Sequence, residues 1–276
     1  MQRNSKRLAE FRDLHKSGCF VMPNPWDAPS AAFLRSLGFK ALATTSAGFG
    51  LTLGLPDSPL ALPRDKVLAH VADIVRAADP LPVNADFQSG YAADTDGVAQ
   101  SVRLCIETGV AGLSIEDATG LVDRPLLDLP EALDRLKAAR AAIDAAGPDV
   151  MLTGRAECFL VDHPDPLRES IRRIEAYAAA GADVLFVPGV YKPDDIRAVI
   201  SAVAPKPVNV LMNKSTGLSV QDLADMGARR ISVGAALARA AWTGFMRAAR
   251  PLAEKGSFAG MDQLLPFSEL STLIGR

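Results

Sequence analysis

Helical stretches in this chain repeatedly end on a glycine, and a short apolar run follows each time. The phrase reads Ser36-Leu37-Gly38-Phe39-Lys40-Ala41-Leu42, then Glu107-Thr108-Gly109-Val110-Ala111-Gly112-Leu113. It returns as Ala179-Ala180-Gly181-Ala182-Asp183-Val184-Leu185 and as Asp225-Met226-Gly227-Ala228-Arg229-Arg230-Ile231. A glycine just past a helix takes the left-handed conformation that turns the chain out of the last helical turn. Helix, glycine and buried strand in repetition are the rhythm of βα units around a parallel sheet. Eight strands are predicted, near 19–23, 40–45, 81–86, 111–116, 150–154, 183–187, 207–211 and 230–233, with amphipathic helices between them such as Asp96 to Thr108 and Pro130 to Ala146. Eight alternations in 276 residues predict a single (β/α)8 TIM barrel, with the stretch from about 250 to 276 as a helical extension.

A doubly wound sheet is the competing architecture. It needs a glycine-rich phosphate loop after strand one, and Met22-Pro23-Asn24-Pro25-Trp26-Asp27 is not one. The glycines of 48–54 miss the GxGxxG spacing and are read as a flexible loop. Ser219-Val220-Gln221-Asp222 has the form of a capping box opening a short helix.

The net charge of −2 gives no reason to expect nucleic acid or an acidic membrane surface as a partner. No apolar stretch is long enough to span a bilayer, and the polar N-terminus lacks a signal-peptide core, so a cytoplasmic protein is expected. Three scattered cysteines and three histidines argue against a disulfide framework, a zinc site and a histidine-based triad. A bound metal would need oxygen ligands, which favours Mg²⁺ or Mn²⁺.

Three apolar runs stop on a charge: the run 81–85 on Asp86, 111–115 on Glu116, and 150–154 on Arg155. Such residues stand at the C-terminal mouth of a parallel strand, where barrels of this kind carry their chemistry. Two carboxylates and a guanidinium at one mouth suggest a cation and an anionic ligand held together. Two long connections, 46–63 and 118–129, are candidate lids.

Taken in order, the segments Met22-Pro23-Asn24-Pro25-Trp26-Asp27, Thr44-Thr45-Ser46-Ala47-Gly48, Leu55-Pro56-Asp57, Ala85-Asp86-Phe87-Gln88-Ser89-Gly90-Tyr91, Ser114-Ile115-Glu116-Asp117 and Gly154-Arg155-Ala156-Glu157 make the chain resemble the isocitrate lyase/phosphoenolpyruvate mutase superfamily over nearly its whole length. The resemblance implies Mg²⁺ at the strand mouths and a small 2-oxo or 2-hydroxy acid, often a dicarboxylate, whose C–C or P–C bond is made or broken. It also implies a dimer of dimers in which the C-terminal helix is exchanged between subunits. Two departures stand out. Gln88 occupies the second position of a D-x-D motif, keeping an oxygen donor without its charge. The segment 118–125 has no Cys, His or Lys, where lyases of the family carry a K-[KR]-C-G-H lid and mutases a Lys and an Asn.

On this footing Asp86, Gln88 and Glu116 are the candidate metal-binding residues, and Asp57, Glu116 and Arg155 the candidate catalytic ones. Arg155 is expected to fork onto a substrate carboxylate. Ser46, Ala47 and Gly48 would offer backbone N–H groups to it, Asn209 and Asn213 would hydrogen-bond it, and Trp26 would cover the mouth. Each has a plainer role open to it: a helix cap for Asp86, a structural pair between Arg155 and Glu116 or Glu157, an ordinary turn for Asp57 and for 46–48. Cys158 is read as an inert buried thiol and Arg124 as a solvated surface cation. A phosphate site at Ile231-Ser232-Val233-Gly234 is a weaker reading. The expected activity is a Mg²⁺-dependent lyase acting through an enolate. A P–C mutase or hydrolase is the alternative enzyme, and a keto-acid-binding barrel without turnover the alternative of another class.

Overall fold

The structure, a computed structural model, describes residues 2–146 and 149–274. Its strands are β1 (Phe20–Met22), β2 (Leu42–Ala43), β3 (Val83–Asp86), β4 (Gly112–Glu116), β5 (Met151–Arg155), β6 (Val184–Phe186), β7 (Val208–Leu211) and β8 (Arg230–Ser232). They form one parallel sheet in the order β1-β8-β7-β6-β5-β4-β3-β2. The seam between β1 and β2 is bridged where the Ala43 N–H donates to the Pro23 carbonyl at 3.1 Å. The result is a nearly closed α/β barrel of the TIM type, as the eight-fold alternation predicts.

The helices are α1 (Gln2–Leu14), α2 (Ala28–Ser36), α3 (Ser46–Leu53), α4 (Arg64–Ala78), α5 (Thr95–Glu107), α6 (Leu129–Ala146), α7 (Pro166–Ala179), α8 (Pro193–Ala202), α9 (Val220–Asp225), α10 (Ala236–Lys255) and α11 (Phe267–Ile274). Their starts are written in the sequence. Asp27 caps α2 in a capping box with Ser30, Asp94 caps α5, and Ser219 with Asp222 caps α9. Each glycine of the recurring phrase, Gly38, Gly109, Gly181 and Gly227, has φ between 82° and 101°. A side chain there would be strained, which is why the phrase needs glycine.

One expectation is corrected. The glycine-containing stretch 48–54 is not a flexible loop: it belongs to α3, capped by Thr45. Its glycines serve close packing. A Cβ on Gly48 would lie 2.6 Å from Thr45 Cγ2 and 3.0 Å from Trp26 Cβ, and one on Gly50 would lie 2.9 Å from the Leu55 carbonyl oxygen. The candidate lid 46–63 is therefore half helix. The other, 118–129, folds back on itself through an antiparallel bridge between Ala118 and Leu126.

The apolar core lies between sheet and helices, with Val71, Ile74, Val102, Ile143 and Ile174 fully buried. The C-terminal elements are different. Trp242, Phe245 and Met246 on α10, and Phe258, Leu264 and Phe267 beyond it, are exposed.

His70 on α4 stacks on Phe49 at 3.9 Å, buried, with no protein partner for Nε2 among the described residues. Burial lowers its pKa to about 4, against weak opposition from Asp73 and Asp27. The unfolded chain therefore binds a proton between pH 6.5 and 4 that the folded chain refuses, and stability drains away as pH falls through that window. His70→Phe keeps the stack and removes the linkage. Its stability relative to wild type is expected to grow by about 1.4 kcal/mol per pH unit below pH 6. Urea melts at pH 7, 6 and 5 read this directly; parallel curves for the two proteins would show that His70 titrates normally.

Candidate active site

The strand ends deliver three charges to one place. Asp86 closes β3, Glu116 closes β4 and Arg155 closes β5, with Glu116 and Arg155 in direct register. Arg155 Nη1 lies 2.9 Å from Asp86 Oδ1 and 3.1 Å from Glu116 Oε2, and its Nε donates to Glu157 Oε1. The guanidinium carbon stands 5.2 Å from the Phe186 ring centroid. Asp86 is no helix cap for its own strand's helix. Its Oδ2 accepts from the Ser46 N–H and hydroxyl, both at 2.9 Å, so it anchors the first turn of α3. Its own N–H donates to Thr44 Oγ1 at 2.9 Å.

Asp57 approaches from the segment after α3. Gln88 Nε2 donates to Asp57 Oδ1 at 3.0 Å, while Gln88 Oε1 is buried without a protein partner. Gln88 holds φ at 42°, a conformation few residues with a side chain adopt. Backbone strain at such a place is more common at functional sites than elsewhere.

One guanidinium cannot neutralise this many acids. Burial, and then Asp86, push the Asp57 carboxyl above the usual range. Burial pushes Glu116 well above it despite Arg155, with Glu157 and Asp86 adding to the effect, and Glu157 is raised as well. On Arg155 burial works against the charge, but Glu116, Glu157 and Asp86 overcome it and hold it firmly protonated. Four carboxyl groups, Asp57, Asp86, Glu116 and Glu157, thus crowd one guanidinium in a buried place, and their ionised forms would outnumber it.

A hard cation fits that excess. All available donors are oxygens, and Gln88 Oε1 is an oxygen with nothing to do. Among the described residues no three His, Cys, Asp or Glu side chains are gathered as a direct cage for an ion.

A cavity of about 150 Å³ opens beside these groups. Ser46, Ala47, Asp57, Asp86, Arg155, Asn209 and Asn213 line it. Glu116 and Gln88 stand behind the lining, reaching it through Arg155 and Asp57. Trp26 and Gly48 are not among the lining residues; the Trp26 Cβ is close against Gly48. The Ser46 N–H goes to Asp86 and the Gly48 N–H to Thr45 Oγ1, which leaves the Ala47 N–H of that trio. Asn213 Oδ1 accepts from the Tyr191 hydroxyl at 2.6 Å. Burial raises Cys158 to a pKa of about 11, so its thiol stays protonated at neutral pH, and Arg124 pairs with Glu131 on the surface.

Several wall residues were not singled out as candidates for the site. Asn24 donates to the Thr44 carbonyl at 2.9 Å and accepts from the Val233 and Gly234 N–H groups at 2.9 Å, tying the loop after β1 to the one after β8. Asn84, Ser114, Arg230 and Ser232 line the lower cavity. Their signal is alternation: Asn84 with Asp86, Ser114 with Glu116, and Arg230 with Ser232 are pairs two apart, hence on one face of a strand.

Residues 11–253 match the phosphoenolpyruvate phosphomutase family. The chain is similar to a structure from Burkholderia cenocepacia J2315 described as a lyase/mutase, with 42% identity, a TM-score of 0.94, and coverage of 99% of this chain and 98% of that one. It is similar to oxaloacetate acetylhydrolase in complex with the product oxalate, with 26% identity, a TM-score of 0.86, and coverage of 99% and 94%. Among curated proteins it is 29% identical to the oxaloacetate decarboxylase of Paraburkholderia xenovorans over 72% of this chain and 65% of that protein. Lyases and mutases thus surround it, and the chain belongs to the phosphoenolpyruvate phosphomutase family, within the isocitrate lyase/PEP mutase superfamily.

Proposed function

We propose that the protein is a Mg²⁺-dependent lyase that breaks the C–C bond next to the carbonyl or hydroxyl of a small 2-oxo or 2-hydroxy acid. The observation that carries this is the surplus of buried carboxylate around Arg155 beside a small polar cavity. Asp57, Asp86, Glu116 and Gln88 would hold the cation and its waters. Bound there, Mg²⁺ supplies Lewis-acid polarisation of the acid's C2 oxygen.

The chain's own groups do the positioning. The Ala47 N–H at the start of α3 and the Asn213 amide take the substrate carboxylate. Arg155, locked by three acids, fixes the wall rather than swinging to meet the ligand, and its positive charge favours the enolate. Asp57, tied to Gln88 Nε2 at 3.0 Å, brings a carboxylate from the segment after α3 to the mouth. Segment 118–125 has no Cys, His or Lys to hand a proton to a carbanion. Decarboxylation suits that lid, because its enolate takes a proton from water, and relatives that act on oxaloacetate support the same reading.

The test is a Mg²⁺ titration with oxalate, which mimics a pyruvate enolate, followed by assay of oxaloacetate. A rise in melting temperature that needs both Mg²⁺ and oxalate, with Mg²⁺-stimulated release of CO₂ and pyruvate, is the expected result. Phosphonopyruvate turnover without oxaloacetate turnover would move the assignment to a P–C mutase. Oxalate binding with no turnover of either would leave a keto-acid binder.

The exposed aromatics of α10 and of the segment after it support assembly through the C-terminal helices, as the family resemblance implies. Light scattering is expected to give a tetramer, and Phe245→Glu with Phe258→Glu to lower the mass. A monomeric wild type would overturn this.

A further inference from the structure

The cavity continues below Arg155 into the barrel. Parallel barrels ordinarily fill that level with branched apolar layers. Here Asn84, Ser114, Thr153, Asn209 and Arg230 are buried there instead. Thr153 precedes Arg155 by two, so both face inward, and Arg230 Nη2 donates to Thr153 Oγ1 at 3.1 Å across the barrel. Arg230 is thus one step beneath the mouth, and it lines the same cavity as Asp86 and Arg155.

Its partners are all neutral. Nε donates to Asn209 Oδ1 at 2.8 Å, and Nη1 faces His15 Nε2 at 3.4 Å. His15 Nδ1 lies 2.7 Å from the Phe11 carbonyl, which can only accept, so the ring proton is on Nδ1 and Nε2 is a bare acceptor. Burial and the neighbouring Arg230 hold His15 neutral, with a pKa down at about 3. No carboxylate offsets the burial of Arg230, whose pKa falls to about 9. A guanidinium has five N–H donors, so each Nη keeps one that these contacts do not use.

The two guanidiniums of the cavity therefore have opposite balances. Arg155 is overcompensated by three acids, while Arg230, only 2% exposed, has no counter-charge among the described residues. A buried cation without an anion is costly, and an anion entering the cavity relieves that cost. The volume of about 150 Å³, roughly that of five waters at ~30 Å³ each, is of the size that takes one small organic acid.

We infer that Arg230 is a specificity-determining residue, receiving the distal carboxylate of a short dicarboxylate whose 2-oxo or 2-hydroxy head lies at the mouth. This rests on the reading of the mouth as a Mg²⁺-chelating site.

Malate and lactate share the 2-hydroxy acid head and differ in the distal carboxylate; oxalate tests the head alone. Calorimetric titration of the full-length protein with each, in Mg²⁺, is expected to show malate binding at least ~10-fold tighter than lactate. Arg230→Gln, which can still hydrogen-bond Asn209 and Thr153, is expected to weaken malate by roughly 10- to 100-fold, with lactate and oxalate within about threefold of wild type. Equal weakening of all three ligands would assign Arg230 to the barrel's structure alone. Equal affinity of wild type for malate and lactate would also overturn the inference. If Arg230→Gln does not fold, Arg230→Lys keeps the charge and must keep the preference for malate; loss of the preference counts against it. Failure of oxalate to bind wild type, with malate still dependent on Arg230, would sink the chelate reading and leave Arg230 as an anion receiver.

Discussion

Asp86→Ala is expected to lower turnover of the protein's 2-oxo acid substrate by about 10²- to 10³-fold or more and to remove the Mg²⁺-dependent thermal shift with oxalate. Asp86 is the one acid of the mouth that meets the cavity directly, touches Arg155 and anchors α3 at the same time. The variant is not expected to be a folding casualty. Arg155 keeps Glu116 and Glu157, and Asp57 loses a neighbour that raises its pKa, so like-charge crowding falls. The cost is the acceptor for the Ser46 N–H and hydroxyl at the first turn of α3. Asp86→Asn separates the two effects. An amide oxygen still accepts from Ser46, so α3 stays anchored, but the charge that draws the cation is gone. Both variants should lose activity and Mg²⁺ response together, with the Asn protein melting within a few degrees of wild type. Full activity in either one would remove Asp86 from the proposed site.

The barrel was legible in the sequence because its signals are local. A glycine with positive φ after a helix, an apolar run behind it and a cap before the next helix are decided within a few residues, and the positions of Gly38, Gly109, Gly181 and Gly227 bear this out. The mouth charges Asp86, Glu116 and Arg155 were legible for the same reason, since each ends a run. The interior was not. Arg230 sits in a strand as short as its neighbours, and nothing in the order of residues says that Asn209, Thr153 and His15 meet it from β7, β5 and the turn after α1. The stretch 48–54 was misread for another reason. Glycine read as flexibility there is glycine needed for contact, and only the neighbours of Gly48 and Gly50 reveal which. Trp26, expected over the mouth from its position after β1, is not among the residues that line the cavity, and its Cβ lies close to Gly48.

The largest loss of stability is expected from Asp117, a residue that never touches the cavity. It follows Glu116 at the end of β4, points the other way, and is 1% exposed. Its Oδ1 accepts from the Glu157 N–H at 2.8 Å, and its Oδ2 from Arg173 Nη1 at 2.9 Å and the Tyr177 hydroxyl at 2.6 Å. The same Arg173 nitrogen donates to the Leu127 carbonyl at 3.0 Å, so the knot joins β4, the loop before α6, the end of β5 and α7. Arg173 Nε also donates to Glu169 Oε1 at 2.7 Å, so losing Asp117 leaves the cation one counter-charge. The loss removes the fully buried one, however, and unpairs the Tyr177 hydroxyl and the Glu157 N–H, together about 3–5 kcal/mol. Asp117→Ala should therefore lower unfolding stability by about that amount, or on the order of 10 °C in melting temperature for a chain this size. Asp117→Asn keeps the acceptor for the Glu157 N–H but not the charge, and should fall between. Adding Arg173→Met to Asp117→Ala removes the half-paired buried cation, leaves Glu169 its bridge to Arg172, and should recover part of the loss, since apolar replacement of a whole buried pair is often near neutral. The damage should reach the mouth as well, because the Glu157 backbone held by Asp117 carries the carboxylate that grips Arg155 Nε. Urea melts of the three variants beside wild type settle the energetics. A loss below about 1 kcal/mol for Asp117→Ala, or no recovery in the double variant, would mean that the ion pair is not what binds β4 and β5 to α7.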